Sequence, residues 1–506
     1  MMKLFDLTVY DIICRNARLF PEKTAWLSVD EKSRLTFSAY KAAVDRMSAG
    51  LLTAGLPKGA RIGVIGKNCL SYAVLYGAAA ALGAIVVPVN WRLSADEMAY
   101  NLTDTQAGFV FADSEDGDVT AAVQSKLPAS TCFFNLQAGQ GAYADLPEAA
   151  LPAGGTPAVD SDDGWVIIHT AAVTGRPRGA LLSQRNVICA NVQLMHQIGL
   201  TTADVLLNPL PLFHIAGLGM AFCCFHGGSA NVLMRKFDAA QAADLIAAHK
   251  ASLLFAFAPM MQNLLAHVEK TGSDIKTLRA VLGIDAPDVI ERYQKLTGGS
   301  FYSLFGQTET SMAATMSPYK ERPGSAGRPI PLVDIELLDD EDRPVPTGQA
   351  GEIAIRGPMV FKGYWGLDAE NAHTFRNGWH HTGDMGRFDA DGYLWYVARK
   401  AEKELIKPGG ENVYPAEVET VILTHPAVAA VVVFGVPDPK WTEGIKAVCQ
   451  LKADQTLKAQ DLIDFVGARI ARYKKPQYVE FVDQLPRLDN GAVDRAKVKK
   501  MYGGHR

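Results

Sequence analysis

The sequence predicts an α/β protein: a large N-terminal domain of layered mixed sheets flanked by helices, with antiparallel hairpins added, and a small α+β C-terminal domain. Three observations lead there. At 506 residues the chain exceeds what one hydrophobic core usually serves. Helical and strand patterns alternate from the start, as they do where sheets are covered by helices on both faces. The style of the sequence then changes twice, near Asp334 and again near Arg399.

In chain order, Phe37, Tyr40, Val44, Met47 and Leu51 recur at helical spacing, and Gly55 and Pro57 close that segment. Arg61-Ile-Gly-Val-Ile65 reads as a short strand. Ser94-Ala-Asp-Glu97 has the form of a capping box and opens another helix, before the strand Gly108-Phe-Val-Phe111. Residues 334–355 turn to short strands broken by DDEDRPVPTGQAG, which suggests antiparallel hairpins. The charged stretch RKAEKELIKP at 399–408 precedes a helix over 415–423, strands over 428–434 and 445–451, and a helix over 459–472. That is about the size of a small domain. The division is therefore set at 1–401 and 402–506.

Hydrophobic content of 48% and charged content of 21% are those of a globular protein. A formal net charge of −4 gives no general pull towards nucleic acid or anionic lipid. Seven scattered cysteines offer neither a disulfide framework nor a zinc-type pair, and a reducing cytoplasm fits them best. The N-terminus lacks a signal peptide's apolar stretch. The most apolar region, 72–89, is long enough to span a membrane. It reads better as a buried helix, a Gly turn and a buried strand, so no integral membrane segment is expected.

Four segments carry chemistry. His169-Thr-Ala-Ala-Val-Thr-Gly-Arg-Pro-Arg-Gly179 follows strand-like Trp165-Val-Ile-Ile168. A Gly-bearing loop between strand and helix can turn N–H groups towards an anion; taken alone it reads equally as a basic surface loop. In Ser303-Leu-Phe-Gly-Gln-Thr-Glu309 a carboxylate beside a hydroxyl, behind a Gly, suits magnesium and phosphate, or simply a capped helix start. Gly378-Trp-His-His-Thr-Gly-Asp384, followed by Asp389-Ala-Asp-Gly-Tyr393, offers a carboxylate on a Gly turn to a ribose, or a turn-forming Asp. Gly409-Gly-Glu-Asn-Val-Tyr-Pro-Ala-Glu-Val-Glu419 leads a Gly loop into a helix, with Pro415 structurally sensible at its start.

Taken together and in this order, the four resemble the adenylate-forming (AMP-binding) synthetases, which include acyl-CoA synthetases, aryl-CoA ligases and luciferases. Pro211-Leu-Phe-His-Ile-Ala-Gly217, Gly351-Glu-Ile-Ala-Ile-Arg-Gly-Pro358, Gly363-Tyr-Trp365 and Arg472-Tyr-Lys-Lys-Pro476 extend the resemblance along nearly the whole chain. It implies an ATP-dependent acid–CoA ligase using ATP, Mg2+ and coenzyme A. The carboxylic acid attacks the α-phosphate, giving an acyl-adenylate, and a thiol then displaces AMP. Position by position, Thr170 to Gly179, with Thr174, Gly175 and Arg178, would cover the β- and γ-phosphates. Thr308 would touch the α-phosphate and Glu309 would hold magnesium. Phe305, with Gly306 and Gln307, would flank adenine opposite the Asp285-Ala286-Pro287 turn. Asp384 would bind the ribose, with Arg399 as companion. His214 matches the gate beside the carboxylate. The small domain would be mobile, with its hinge within Glu402-Lys403-Glu404, and Gly409 and Gly410 would line the pantetheine tunnel. RKAEKELIKP is about two residues longer than the usual family spacing.

The sequence departs from the family pattern in two places. Ala171, Ala172 and Val173 replace Ser-Gly-Thr in the phosphate loop, and Arg178 replaces a Lys. Each lost hydrogen bond to a charged group could be worth roughly 1.5–3 kcal/mol. In Leu485-Pro-Arg-Leu-Asp-Asn-Gly-Ala492, Ala492 stands where the adenylation lysine is usual. An engineered substitution, a natural lineage using another cation (Arg487, Arg495 or Lys497) and an inactive relative all fit this. Adenylation is accordingly expected to be slow. A non-catalytic nucleotide- or acyl-binding relative and an enzyme loading a carrier protein are the rival readings. The pocket, drawn from 214–225, 255–261 and 283–305, has few charges, so an apolar acid is expected, a fatty acid first and an aryl or cyclic acid second. A homodimer is a further expectation.

Overall fold

The computed structural model describes residues 6–113, 115, 117–136, 146–152, 155–170, 176–399, 404–439, 441–488 and 493–504. Among them, two large sheets form the body of the molecule. One has seven strands in the order Gly363–Tyr364, Arg178–Ser183, Gly164–Thr170, Ile85–Val89, Arg61–Ile65, Phe109–Ala112, Cys132–Asn135. The strands from Gly164–Thr170 to Cys132–Asn135 pair in parallel, and the two at the other edge are antiparallel. The second sheet has nine strands. Its parallel centre runs Ser300–Phe305, Ala280–Ile284, Leu253–Phe257, Val205–Asn208, Ala230–Leu233, Thr24–Ser28.

The expected helix, turn and strand over 72–89 are present as Leu70–Leu82, Gly83 and Ile85–Val89, all buried. Gly83 takes a φ of 63° and its N–H closes the helix on Ala79. This uncharged helix sits in the main core with the equally buried helix Ile215–His226. Trp26, Tyr40, Trp165, Phe222 and Phe225 form an aromatic knot around them. No helix among the described residues is long and apolar enough to cross a membrane. The Ser94 capping box forms in full, opening the helix Ala95–Asp104.

The hairpins expected beyond Asp334 form a four-stranded antiparallel sheet, Asp334–Leu338, Gly351–Arg356, His380–Phe388, Leu394–Arg399. Beyond residue 404 a separate three-stranded sheet, Val428–Asp438, Thr442–Leu451, Tyr478–Val482, carries helices Pro415–Leu423, Ala459–Gly467 and Arg495–Tyr502. Its apolar residues cluster among themselves, around Ile406, Val418, Val433, Leu462 and Val466 and around Phe434, Val448 and Val498.

Two expectations need correcting. The loop after Thr170 does not lead into a helix: Arg178–Ser183 returns as a strand antiparallel to Gly164–Thr170, and the helix Gln184–Ile198 starts only at its Ser183 cap. The loop thus joins a hairpin. The helix expected over 459–472 ends at Gly467, and Arg472–Lys474 forms a separate single turn.

Candidate active site

Parallel strands Leu253–Phe257, Ala280–Ile284 and Ser300–Phe305 end together, and in open α/β sheets the crevice beyond such carboxyl ends is where ligands bind. Asp285 and Ala286 leave the second of these ends, and Pro287 begins the helix Pro287–Thr297. Gly283 pairs with Ser303, which brings Asp285 to the level of Phe305. Asp285 Oδ1 accepts the Ala286 N–H at 2.8 Å. Burial raises its carboxyl pKa, and Oδ2 has no hydrogen-bond partner among the described residues.

Beyond Phe305 the chain must turn at Gly306, where a Cβ would stand 1.7 Å from the Met312 carbonyl. The turn delivers Gln307 and the short helix Thr308–Thr310. Gln307 Nε2 donates to the Thr382 carbonyl at 3.1 Å and to Asp384 Oδ2. Asp384 sits in a bulge, not a plain turn: Thr382, Gly383 and Asp384 stand opposite Ile353 alone in the pairing with Gly351–Arg356, and Gly383 takes a φ of 69°. Glu352 Oε1 accepts the Gly383 N–H at 2.8 Å, fixing the bulge from below. Asp384 Oδ1 accepts from Tyr396 Oη at 3.2 Å and lies 3.3 Å from Arg399 Nε. The Tyr396 ring lies 6.4 Å from that of Phe305, centre to centre. A carboxylate and an amide beside two aromatic rings suit a base and its ribose.

Thr308 and Glu309 are both buried in the middle of the crevice. Glu309 Oε1 accepts from Thr170 Oγ1 at 3.1 Å and from Tyr364 Oη at 2.9 Å. Arg178 is buried. It pairs with Glu370 at 3.0 Å, donates to Tyr364 Oη at 3.2 Å, and lies 4.0 Å over the Tyr364 ring. Its guanidinium therefore braces Tyr364, and through it Glu309. Gly179 is wedged in its strand, with Ile167 2.6 Å from where a Cβ would be, and its carbonyl accepts the Trp365 N–H. Among the described residues no group of three or more metal-type ligands occurs. One buried carboxylate beside a hydroxyl still fits magnesium, which keeps several waters and takes the rest of its shell from phosphates.

His214 caps the helix Ile215–His226, accepting the Ala216 N–H on Nδ1 at 3.2 Å, which leaves the proton on Nε2. Its pKa is lowered to about 4, first by burial and then by the Lys407 charge. Its ring meets Phe257 edge-on at 6.5 Å, and Phe257 packs on Phe255. Gly217 and Gly219 keep the helix thin here; a Cβ on the first would stand 2.3 Å from the Pro211 carbonyl, and Met312 covers the second. The surroundings of His214 are thus apolar, with its imidazole the polar group among them.

The small domain supplies the last wall. Gly409, at φ 58°, donates its N–H to the Trp441 carbonyl at 3.1 Å, and Gly410 ends the same turn. Lys407 N–H donates to Glu443 at 2.7 Å. The Lys407 side chain is reached by solvent yet enclosed enough that its pKa falls to about 8, through burial and then the Arg399 charge. Ala171, Ala172, Val173, Thr174, Gly175 and Ala492 lie outside the described residues, as do Glu402 and Lys403 of the expected hinge. Of the cations considered for position 492, Arg495 is committed to Glu404 at 3.2 Å and Glu419 at 2.6 Å. Tyr364, Tyr396, Glu352 and Lys407 were not picked out from the sequence. Tyr364, Glu352 and Lys407 stand in quoted segments that give them no role, and nothing local to Tyr396 marks it.

The model of the AMP-binding enzyme family matches residues 13–365, and that of the AMP-binding enzyme C-terminal domain matches 417–492. The chain belongs to the AMP-binding enzyme family. Among AMP-binding relatives, a feruloyl-CoA synthase of an Amycolatopsis species is 33% identical over 497 residues, 97% of this chain and 98% of that protein. A solved chain from Rhodopseudomonas palustris, designated a long-chain-fatty-acid CoA ligase, is 44% identical over 78% of this chain and 100% of its own, with a TM-score of 0.73. The o-succinylbenzoate CoA synthetase of Bacillus subtilis, 28% identical, was solved in two states. A double mutant bound to a product analogue superposes at a TM-score of 0.86, covering 99% of both chains. With its acyl-adenylate intermediate the same enzyme superposes at 0.69, covering 99% of this chain and 100% of that one. These AMP-binding relatives are acid–CoA ligases, and this chain is an enzyme of that adenylate-forming kind.

Proposed function

We propose that this enzyme joins an apolar carboxylic acid, fatty or aryl, to coenzyme A through an acyl-adenylate made from ATP. One observation carries the reading. Glu309, held by Thr170 and Tyr364, lies two residues from Gln307, which binds Asp384 beside the rings of Phe305 and Tyr396.

In this reading Asp384 accepts the ribose hydroxyls, with Gln307 and Arg399 fixing its orientation, and the base lies between Phe305 and the Asp285–Pro287 turn. The substrate carboxylate oxygen attacks the α-phosphorus, and the bond to pyrophosphate breaks with its electron pair leaving on pyrophosphate. Glu309, held by Tyr364 and Thr170, is the residue that would hold magnesium, which when bound neutralises phosphate charge. Thr308 lies beside it towards the α-phosphate, and loop 170–179 covers the rest of the triphosphate. Placing the two reactants in line and neutralising their charge is the main catalytic contribution. Neutral His214 contributes an Nε2–H donor at the carboxylate edge, not a charge. In the second step the coenzyme A thiol loses its proton to solvent, its sulfur bonds the acyl carbon, and the acyl–phosphate bond breaks towards AMP. Gly409 and Gly410 leave room for the pantetheine arm.

The domains assigned are 1–401 for nucleotide and acid and 402–506 for the small domain, with the hinge at 402–404. The higher TM-score with the product-analogue state than with the acyl-adenylate state supports reading the described arrangement as that of the thiol step.

The test is release of AMP with ATP, coenzyme A and acids graded in chain length and ring content. Turnover of C8–C16 or cinnamate-type acids is expected; turnover only of dicarboxylates would refute the apolar assignment. Running both half-reactions with Ala492→Lys tests the missing cation, and adenylation is expected to accelerate at least tenfold.

A further inference from the structure

Among the described residues, one compact set of charges between the small domain and the large one falls on the large-domain segment from Asn90 to Glu97. Lys474, 4% exposed, reaches Glu97 Oε1 at 2.6 Å and Glu417 Oε2 at 2.5 Å. Glu97 belongs to the large domain, and Lys474 and Glu417 to the small one. The other oxygen of Glu97 accepts from Ser94 N–H and Oγ, both at 2.8 Å, and from the Ala471 N–H at 3.1 Å. The capping box of its own helix thus orients Glu97 before the small domain arrives. A few residues away, Glu411 accepts from Asn90 Nδ2 at 3.2 Å and faces Arg92 at 3.0 Å.

We propose that Glu97, Lys474 and Glu417 form a latch that docks the small domain in the orientation presenting Lys407, Gly409 and Gly410 to the crevice, making Glu97 and Lys474 positioning residues for the thiol step. This rests on the two-step reading above.

Three physical points support it. A buried ammonium between two carboxylates is directional and intolerant of misplacement, because removing one partner leaves an uncompensated buried charge. Burial works against both charges: it raises the Glu417 pKa, while for Glu97 the Lys474 charge and the hydrogen bonds outweigh it and hold the pKa down. Glu411 and Glu417 also bracket the start of the helix Pro415–Leu423, which begins five residues after Gly410 of the Gly409–Gly410 turn. A shift of the latch therefore moves the turn that lines the thiol path.

The experiment compares wild type with Glu97→Gln, Lys474→Met and Lys474→Arg. It measures CoA-dependent consumption of synthetic dodecanoyl-adenylate and feruloyl-adenylate, acid-dependent pyrophosphate exchange (in the Ala492→Lys background), and small-angle scattering. Glu97→Gln should slow adenylate consumption at least tenfold and leave exchange within twofold. It should also enlarge the radius of gyration. Lys474→Arg should recover part of what Lys474→Met loses. Should Lys474→Met not fold, the near-isosteric Glu97→Gln decides. Equal loss in both half-reactions, or unchanged consumption, overturns the latch. So does wild-type scattering from Glu97→Gln, whether or not the protein turns over. Failure of the wild type to consume either adenylate would instead remove the two-step reading beneath it.

Discussion

Removing the Lys407 ammonium should make His214 more basic. With Lys407→Met, the imidazole pKa is expected to rise from about 4 towards its ordinary 6.5, measured by NMR titration of the ring. It will stay below that value, since burial is the larger cause. The variant should consequently lose the neutral imidazole at a higher pH on the acid side. Tyr364 offers a second test at this scale. Its hydroxyl links Glu309 to Arg178, so Tyr364→Phe removes one hydrogen bond from each, leaving Glu309 to Thr170 and Arg178 to Glu370. Adenylation kcat/KM should fall about tenfold, the scale of one hydrogen bond to a charged group, measured by pyrophosphate exchange. Thr308, Glu309 and Asp384 were legible in the sequence because glycine-bounded motifs announce them. Tyr396 and Lys407 were not, since each acquires its neighbours only when the four-stranded sheet and the small domain close over the crevice.

At the scale of an element, the turn at Gly306 has no room for any side chain. Gly306→Ala must push the Met312 carbonyl aside, and with it the turn carrying Thr308 and Glu309. Stability should fall by about 2–4 kcal/mol in urea unfolding, and adenylation should fall disproportionately. A second element is held by charge. Arg279 grips Asp204 at 2.7 Å and donates to Ile198 and Gly199 at the end of the helix Gln184–Ile198. Although burial opposes its charge, Arg279 and further hydrogen bonds lower the Asp204 pKa to about 2. A depressed carboxylate stabilises the fold above its unfolded pKa near 4 and loses that contribution as pH falls towards 2. Arg279→Met should destabilise by about 1–2 kcal/mol at pH 7, the half-exposed guanidinium being screened by solvent, and the difference from wild type should shrink in denaturation curves taken between pH 4 and pH 2. Helices and strands were legible where periodicity was strong, as in Phe37–Thr53 and Arg61–Ile65. The Thr170 loop was misjudged because a strand of six residues, Arg178–Ser183, is too short for periodicity to distinguish from a helix start.

At the scale of the molecule, the small domain's apolar clusters are drawn from its own residues, Ile406 to Val498. A fragment of residues 404–506 should therefore fold alone, giving a dispersed amide spectrum and a cooperative thermal transition. A collapsed spectrum without that transition would move the domain boundary. A second, smaller α+β unit was legible because the composition changes near Arg399, ahead of the separate three-stranded sheet. The interface was not: Glu97 and Lys474 are separated by most of the chain, and each reads locally as a cap or a surface charge.

The hairpin beneath the phosphate loop has an implication for how this protein can vary. Its returning strand is stitched to Gly363–Tyr364, and its outgoing strand ends at Thr170, whose hydroxyl touches Glu309. Both banks of the loop are thus tied to the same carboxylate by side chains outside the loop itself. The seven residues between Thr170 and Arg178 can therefore change in composition without moving Glu309. Ala171, Ala172 and Val173 are then changes the scaffold can absorb, and restoring Ser-Gly-Thr there should alter the handling of the outer phosphates while leaving the stability of the enzyme unchanged.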